Sequence, residues 1–178
     1  MSDIDMKGID VLVVGAGNAA ACAPLSAVAH GAKVLILETA PKESRGGNSA
    51  FTGGAFRFAY NGVDDLMQVW PRPMEEGLDN IDFGTYTHEQ YYDDVFRMTQ
   101  YRSDPDLTEV LITNSFDTAK WMTTHGIELI PSLGRQAFKV DGKFKFWGGL
   151  ALHINGGGAE LLPPVYAAAG KKTEDKRA

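Results

Sequence analysis

Two short apolar runs near the start of the chain predict neighbouring strands of a parallel sheet. Residues 9–14 (IDVLVV) contain four consecutive aliphatic residues, and residues 33–38 (KVLILE) repeat the pattern before an acid. Continuous apolar runs of this length are typical of strands that are buried on both faces. Between them, residues 18–30 are rich in alanine and are followed by Gly31, which favours a helix with a glycine stop. The order strand, helix, strand predicts a βαβ unit.

The turn between the first strand and the helix has the glycine pattern of a dinucleotide site. Gly15 permits a tight turn, and Gly17 lets the backbone come close to a phosphate. Ala20 takes the third small position, where the helix must pack against the strand. The N–H groups that open the helix then face the anion. Glu38 ends the second strand, at the distance expected of a carboxylate that binds ribose hydroxyls.

A second glycine-rich loop favours a flavin dinucleotide over a nicotinamide one. Gly46-Gly47-Asn48-Ser49 is followed by Gly53-Gly54, so four glycines fall within nine residues. A long flavin cofactor must be met again by a second loop, where side-chain bulk would block the backbone. Without the first turn, a flexible surface loop would be the better interpretation. A nicotinamide-binding module is a third, weaker interpretation.

These motifs resemble those of one family of flavoproteins. The segments GAGNAA at 15–20, LILE at 35–38 and RGGNSAFTGG at 45–54 look like the FAD-dependent oxidoreductase 2 family, of the succinate dehydrogenase/fumarate reductase flavoprotein type. The Asn-Ala-Ala ending is most similar to tricarballylate dehydrogenase-like proteins. Residues 147–162 resemble a later glycine-rich turn and helix of the same domain. The resemblance covers about residues 9–170.

The resemblance implies two groups of cofactor-binding residues. Those at the pyrophosphate, ribose and adenine of FAD are Gly15, Gly17, Asn18, Ala19, Glu38, Thr39 and Ala40. Those beside the flavin end are Gly46, Gly47, Asn48 and Ser49.

The fold expected from the resemblance is α/β: an incomplete Rossmann-like FAD-binding domain with a mainly parallel sheet, flanking helices and a β-hairpin excursion. It spans residues 1–170, and residues 171–178 form a charged tail. The implied activity is hydride transfer between a small di- or tricarboxylate and the flavin. The catalytic groups of the family lie in segments that have no match here, so the chain looks like an N-terminal fragment and its catalytic residues remain unknown. The alternatives are a truncated, non-catalytic nucleotide-binding fragment and a 3-ketosteroid dehydrogenase-like flavoprotein.

The composition of the chain limits which partners it can bind and in which cellular compartment we expect it. The net charge of −6 argues against a nucleic-acid surface, and no apolar run approaches the roughly 18 residues of a membrane span. The first residues are too polar for a secretory signal and too acidic for an organellar one. A single cysteine excludes an internal disulfide, which suits a cytoplasmic protein. Because no histidines have metal-ligand spacing with cysteines or carboxylates, we expect no metal. The electron acceptor stays unidentified.

Helix signals mark the middle of the chain. Thr87 and Gln90 have the spacing of a capping box, Asp104 and Pro105 are good first residues of a second helix, and Gly126 ends it. The residues expected to form the buried stripe of this second helix are Leu107, Val110, Leu111, Thr118 and Met122.

The last third of the chain predicts a hairpin and then a helix. Asp141-Gly142 joins two short alternating segments within residues 132–148, as in a hairpin. Basic and aromatic residues interleave there, but in an acidic chain a two-faced hairpin is favoured over a nucleic-acid platform. A helix is expected after Gly156-Gly157-Gly158, and Pro163-Pro164 should interrupt it unless it starts there.

A few charged side chains have two interpretations each. Arg45 and Arg57 flank the second glycine loop, where an arginine can hold a substrate carboxylate. A solvated loop charge is the slightly better interpretation. His88, His125 and His153 are candidates for acid–base chemistry, but structural or surface roles are favoured for all three.

Overall fold

The computed structural model describes residues 7–70 and 78–169, so the predicted charged tail at 171–178 lies outside the described residues. The elements in chain order are β1 (Val11–Val14), α1 (Asn18–Ala29), β2 (Val34–Leu37), α2 (Val63–Val69), α3 (His88–Met98), α4 (Pro105–Thr113), α5 (Ser115–Thr124), β3 (Leu129–Pro131), β4 (Ala137–Val140), β5 (Lys143–Phe146), β6 (Leu152–Ile154) and α6 (Gly158–Ala169). Two short 3₁₀ helices lie at Gly47–Phe51 and Leu78–Asn80. This mixture of helices and strands confirms the α/β class.

The chain divides into two compact units. The first, which we call the glycine unit, comprises Met1–Gly53 and Gly156–Ala178. The second, which we call the aromatic unit, comprises Gly54–Asn155.

The glycine unit contains the predicted βαβ motif. Strands β1 and β2 are parallel, with Val11 opposite Val34, and α1 connects them. Strand β1 is more exposed than a continuous apolar run predicts: Val14 is 78% exposed and Leu12 is 45% exposed. Within the described residues β1 pairs only with β2, so its other edge and much of its surface lack a cover. The prediction of a fully buried strand is therefore wrong for β1.

Helix α6 also differs from expectation, because it runs through its prolines. It begins at Gly158 and continues past Pro163 to Ala169. Proline removes a backbone donor, so packing must hold the helix together there. Leu161 and Leu162 are buried. The predicted interruption at Pro163-Pro164 is therefore wrong.

The aromatic unit is built around large buried side chains. Phe58 is fully buried and its ring lies near the rings of Phe56, Tyr60 and Phe116, with centroids 5.9–6.2 Å apart. Other large side chains that are almost fully buried in this unit include Leu66, Val69, Ile112, Leu129 and Leu152.

The predicted helix starts in this unit are confirmed, but the single second helix that was predicted up to Gly126 is two helices, α4 and α5, which meet at Asn114. The predicted buried stripe is wrong for α4. Thr87 and Gln90 form the capping box of α3, and Asp104 caps α4 with Pro105 in its first turn. Leu107, Val110 and Leu111 are 70%, 61% and 54% exposed, Thr118 is exposed, and only Met122 of the stripe is buried. The buried face consists instead of Thr108, Ile112, Ser115, Ala119 and Met122.

Local hydrogen bonds explain how polar residues come to occupy that face. The Thr108 hydroxyl donates to the carbonyl of Asp104 at 2.7 Å. The Ser115 hydroxyl donates to the carbonyl of Ile112 at 2.8 Å and accepts from the N–H of Ala59 at 3.0 Å. Buried hydroxyls with such partners carry little desolvation cost, so hydrophobicity alone misplaces the buried face.

The predicted hairpin is confirmed. Strands β4 and β5 are antiparallel, with Val140 opposite Lys143, and two residues form the turn. Asp141 and Gly142 have φ of +49° and +82°, as the tight two-residue turn between twisted strands requires. The remaining described pair, β3 with β6, is also antiparallel, so the parallel pairing of the described strands is that of β1 with β2.

Candidate functional site

The turn between β1 and α1 has the conformation that the glycine pattern predicts. Gly15 has φ of +101°, and its N–H donates to the carbonyl of Leu37 at 2.7 Å, which anchors the turn to β2. Ala16 is buried, and Gly17 is the N-cap of α1 without a side chain that could cap it. The first N–H groups of α1 therefore remain for a loop or a ligand to satisfy.

The second glycine loop lies directly against this turn. The N–H of Asn18 donates to Ser49 Oγ at 3.1 Å. A Cβ placed on Gly17 would lie 3.6 Å from Ser49 Oγ and 3.9 Å from the carbonyl oxygen of Gly46. The fold thus brings together residues that are about thirty positions apart in the sequence, from both predicted groups.

The carboxylate of Glu38 is presented at the end of β2. It is exposed, accepts from the N–H of Ala40 at 2.8 Å and lies 3.3 Å from the hydroxyl of Thr39, which donates to it. These two hydrogen bonds, with the Ala40 N–H as the main one, lower the pKa of Glu38, and the N–H of Ala16 adds to the effect. Glu38 is therefore an ionised acceptor, and Thr39 and Ala40, which the resemblance places near the adenine, both donate to it.

The glycines of the second loop differ in what surrounds them. Gly46 is buried, has φ of +102°, and has no room for a Cβ because the side chain of Leu162 occupies that space. Gly47 has φ of +53°, is exposed, and has no atom within 4 Å of the position of a Cβ. Asn48 is also exposed, as is Ala19 in the first turn of α1. Gly46 is thus required by packing, whereas Gly47 keeps a surface open.

Helix α6 holds this loop through backbone contacts. The N–H of Gly158 donates to the carbonyl of Thr52 at 2.8 Å. A Cβ on Gly158 would overlap the carbonyl of Ser49 and the backbone of Ala50, and one on Gly157 would lie 2.7 Å from the Thr52 carbonyl. The start of α6 therefore positions the second glycine loop.

Sequence reasoning missed one side chain of this region, Tyr166. Its hydroxyl donates to the carbonyl of Ala16, and the guanidinium carbon of Arg45 lies 4.3 Å from the centre of its ring. No local pattern around Tyr166 indicates this contact, since Ala16 lies 150 positions earlier in the chain.

Of the other charged candidates, which lie in the aromatic unit, three have structural partners and the fourth, His88, is exposed. Arg57 lies 5.7 Å from the centre of the Tyr86 ring, and its Nη1 is 3.9 Å from Asp94 Oδ2. His125 Nδ1 donates to the carbonyl of Trp121 at 2.8 Å, and His153 Nδ1 lies 3.1 Å from Ser132 Oγ. Burial, helped by the charge of Arg135, lowers the pKa of His153 and favours its neutral form.

A cavity of about 240 Å³ also lies within the aromatic unit. Its walls include Tyr60, Tyr86, Phe138 and Phe146. The polar groups around it bind each other: the Tyr60 hydroxyl donates to the carbonyl of Phe83 at 2.7 Å, and Lys145 Nζ lies 3.0 Å from Asp82 Oδ2. Burial raises the pKa of Tyr60 to about 12, so its hydroxyl stays protonated.

Comparison with known proteins assigns the glycine motifs to a family. The model of the FAD binding domain matches residues 10–156. The chain belongs to this family. Its cofactor is accordingly FAD, as predicted.

Two relatives and two solved structures illustrate the family. A fumarate reductase (cytochrome) of Shewanella frigidimarina is 28% identical over 169 residues, which cover 95% of this chain and 26% of the relative. A vinyl phenol reductase of Lactiplantibacillus plantarum is 30% identical over 119 residues, covering 67% of this chain and 20% of the relative. The open conformation of a flavocytochrome c3 fumarate reductase has a TM-score of 0.60 at 23% identity, over 94% of this chain and 26% of that one. A 3-ketosteroid-Δ4-(5α)-dehydrogenase of Rhodococcus jostii has a TM-score of 0.60 at 19% identity, over 94% of this chain and 38% of that one.

The chain therefore spans about a quarter of the length of the fumarate reductases that it matches. Across residues 7–70 and 78–169, no helix has both the length and the apolar character needed to cross a membrane. Over the same residues, no three His, Cys, Asp or Glu side chains come together as a metal site requires.

Proposed function

We propose that this chain provides the adenosine and pyrophosphate part of the FAD site in a flavin-dependent reductase or dehydrogenase. The observation that supports this proposal best is the hydrogen bond from Asn18 N–H to Ser49 Oγ, 3.1 Å long, which holds the second glycine loop against the first turn. Both loops follow the carboxyl ends of parallel strands, where dinucleotides bind in α/β proteins. The two groups of predicted FAD residues thus contribute to one surface of the glycine unit.

The residues present fit the cofactor that the family implies. Gly17 adds no side chain at the N-terminus of α1, where backbone N–H groups and the helix dipole favour a phosphate. The exposed, ionised Glu38 is an acceptor for ribose hydroxyls. FAD supplies the hydride chemistry when bound, and the residues of this chain bind and orient it. We assign no catalytic residue.

We further propose a small di- or tricarboxylate as the substrate. The similarity to a fumarate reductase supports this class, and the Asn-Ala-Ala ending at residues 18–20 favours a tricarballylate dehydrogenase-like specificity within it. With FAD bound, a substrate C–H beside a carboxylate-bearing carbon would give its hydride to the flavin while the neighbouring carbon loses a proton to a base, which forms a C=C bond. In the reverse direction the C=C bond would take up a hydride and a proton. A ketosteroid-type substrate is less well supported, since that likeness shows the fold alone.

Two assignments about the whole chain are also proposals. We propose that residues 1–170 form the FAD-binding domain and that residues 171–178 are a charged tail. We also propose a cytoplasmic location, because the single cysteine suits a reducing compartment.

The alternative function is a nucleotide-binding chain without catalysis. The exposed apolar residues Leu12 and Val14 favour it, because a sheet with an uncovered face supports a complete flavin site less well.

One experiment separates these functions. The purified chain is examined for flavin absorbance, titrated with FAD, and then mixed with succinate or tricarballylate while the flavin band is recorded. A yellow protein that is bleached by either substrate supports the enzyme. A yellow protein that neither substrate bleaches, and whose chemically reduced flavin fumarate does not reoxidise, supports the alternative. A chain that binds no FAD contradicts the proposed site.

A substitution in the second loop tests which dinucleotide is bound. Asn tolerates a left-handed backbone, so Gly47→Asn adds a side chain to the open surface with little strain. We expect it to weaken FAD binding about tenfold while ADP, which lacks the flavin half, binds as before. Equal affinities for FAD in the variant and the parent chain would contradict the placement of this loop beside the flavin end.

A further inference from the structure

A cationic side chain is fixed beside the glycine turn by an aromatic ring. The guanidinium carbon of Arg45 lies 4.3 Å from the centre of the Tyr166 ring, within the distance of a cation–π contact. The hydroxyl of Tyr166 donates to the carbonyl of Ala16, the residue between the two glycines of the turn. One ring therefore connects the guanidinium to the phosphate-facing turn.

The backbone of Arg45 is fixed as well. The next residue, Gly46, packs against Leu162 of α6, and its carbonyl oxygen lies 3.9 Å from the position of a Cβ on Gly17. The side chain of Arg45 is itself partly buried. A guanidinium that is held at both ends loses little entropy when it binds an anion.

The negative charges around the turn favour a positively charged side chain as a ligand of the phosphates. The chain has a net charge of −6, and Glu38 presents a carboxylate at the end of β2. Burial raises the pKa of the Tyr166 hydroxyl, the positive charge of Arg45 lowers it, and the negative charge of Glu38 raises it. Both charges thus act on the same hydroxyl. A helix N-terminus supplies only about half a positive charge, which is less than a pyrophosphate carries in negative charge.

We infer that Arg45 is a phosphate ligand of the dinucleotide and that Tyr166 is its positioning residue. The inference rests on the proposed FAD site and adds to it two residues outside the glycine motifs. It differs from the two interpretations that the sequence left open for Arg45, a substrate carboxylate and a solvated loop charge. The contact with Tyr166, whose hydroxyl is bound to Ala16, favours the pyrophosphate end.

The test compares ligands that share the adenosine but differ in phosphate. FAD, ADP and adenosine are titrated against the full chain and the variants Arg45→Gln and Arg45→Lys. We expect Arg45→Gln to weaken FAD and ADP about tenfold at low salt, as the loss of a charge-assisted hydrogen bond does, and to leave adenosine unchanged. Arg45→Lys keeps the charge without the planar group, so its loss is smaller.

A matched control is available in the same loop. Lys42 is exposed, and Lys42→Gln removes one positive charge as Arg45→Gln does. We expect its FAD affinity to stay within about twofold of the parent chain, because an exposed charge at a distance is screened. If Lys42→Gln and Arg45→Gln weaken FAD equally, general electrostatics explains the effect and the assignment of Arg45 is overturned.

Tyr166 is tested by removing its ring. Tyr166→Leu abolishes the stacking surface, so we expect the same selective loss for FAD and ADP as in Arg45→Gln. In the double variant the two losses are not additive if Tyr166 acts through Arg45. Additive losses, or a loss that extends to adenosine, would overturn the positioning role.

The inference and the proposed function fail in different ways. If the parent chain binds no FAD, the proposed function itself is contradicted. If the parent chain binds FAD, and Arg45→Gln binds both FAD and ADP as tightly as the parent chain does, the FAD site stands and only the role of Arg45 is overturned. Thermal unfolding of each variant without ligand verifies that the compared chains are folded.

Discussion

The two units of this molecule obtain their packing in different ways. In the glycine unit, backbone approaches backbone: Gly158 and Gly157 lie so close to the second loop that a Cβ on either would meet main-chain atoms. In the aromatic unit, large side chains fill the interior, with Phe58 and Leu152 fully buried. The glycine unit thus uses its missing side chains to place two loops at the N-terminus of α1, whereas the aromatic unit uses its side chains for stability.

This difference indicates where binding and stability can be separated. A substitution that adds a side chain at a closely packed glycine should change the position of the loop and the affinity for FAD. A substitution that truncates a buried aromatic side chain should change the free energy of unfolding, and the affinity for FAD only as a consequence of unfolding.

The largest effect is expected where a side chain would enter the backbone contact at α6. Gly158→Ala places a Cβ against the carbonyl of Ser49 and the backbone of Ala50, which cannot move without shifting the loop. We expect a loss of about 4 kcal/mol in the free energy of unfolding, measured in urea, and loss of FAD binding. The control Gly134→Ala has no atom within 4 Å of its Cβ. Similar stabilities for the two variants would show that the contact is not required.

The next effect belongs to the aromatic core. Phe58→Ala removes a fully buried ring that contacts three other aromatic rings. A truncation of this kind costs about 3–4 kcal/mol, to be measured by denaturant unfolding. Where the variant remains folded, its affinity for FAD should equal that of the parent chain. A loss of FAD affinity in a Phe58→Ala variant that is fully folded would contradict the separation of binding and stability between the units.

The converse separation is expected at Gly17. A Cβ there has only ordinary contacts, with Ser49 Oγ 3.6 Å away, so Gly17→Ala should change the free energy of unfolding by less than about 1 kcal/mol. The glycine pattern predicts close approach of the backbone to the pyrophosphate at this residue, so FAD affinity should fall about tenfold, as measured by fluorescence titration. Unchanged FAD affinity would remove Gly17 from the site.

The smallest effect is a pH dependence in the aromatic unit. Burial raises the pKa of Asp94, but hydrogen bonds from Arg97 and Tyr86 outweigh it and hold the pKa below its ordinary value of 3.8. A depressed pKa adds stability that is complete above the ordinary value and is lost as the pH falls through the folded-state value. Asp94→Asn should therefore cost about 1 kcal/mol at neutral pH and flatten the stability profile below about pH 4.

The control for this pH profile is the preceding residue. Asp93 is exposed on the same helix, and Asp93→Asn makes the same change of charge. Its acid profile, followed by circular dichroism, should match that of the parent chain. If the stability profile is flattened equally in both variants, the hydrogen bonds of Asp94 are not the cause of the acid dependence.

The features that the sequence predicted correctly depend on a few neighbouring residues. The capping box of Thr87 and Gln90, the Asp104 cap and the two-residue turn at Asp141-Gly142 are all present. The turn at Gly15 is also present, because a tight strand-to-helix turn with positive φ needs glycine wherever it occurs. The roles assigned to the site residues stay predictions, and the structure brings Gly17, Asn18, Gly46 and Ser49 together.

The features that the sequence did not predict depend on distant contacts. The apolar residues Leu107 and Val110 are exposed while Thr108 is buried, because hydrogen bonds and neighbouring elements decide which face of α4 is covered. Helix α6 continues through Pro163 because Leu161 and Leu162 are buried.

By itself, the sequence determined the βαβ unit, its glycine turn, the family and FAD as the cofactor, because each follows from short motifs whose chemistry is local. Only the tertiary structure decided that Ser49 meets the N–H of Asn18 and that Tyr166 connects Arg45 to Ala16. Contacts between residues so far apart depend on how α6 and the second loop pack, and short sequence motifs do not predict that packing.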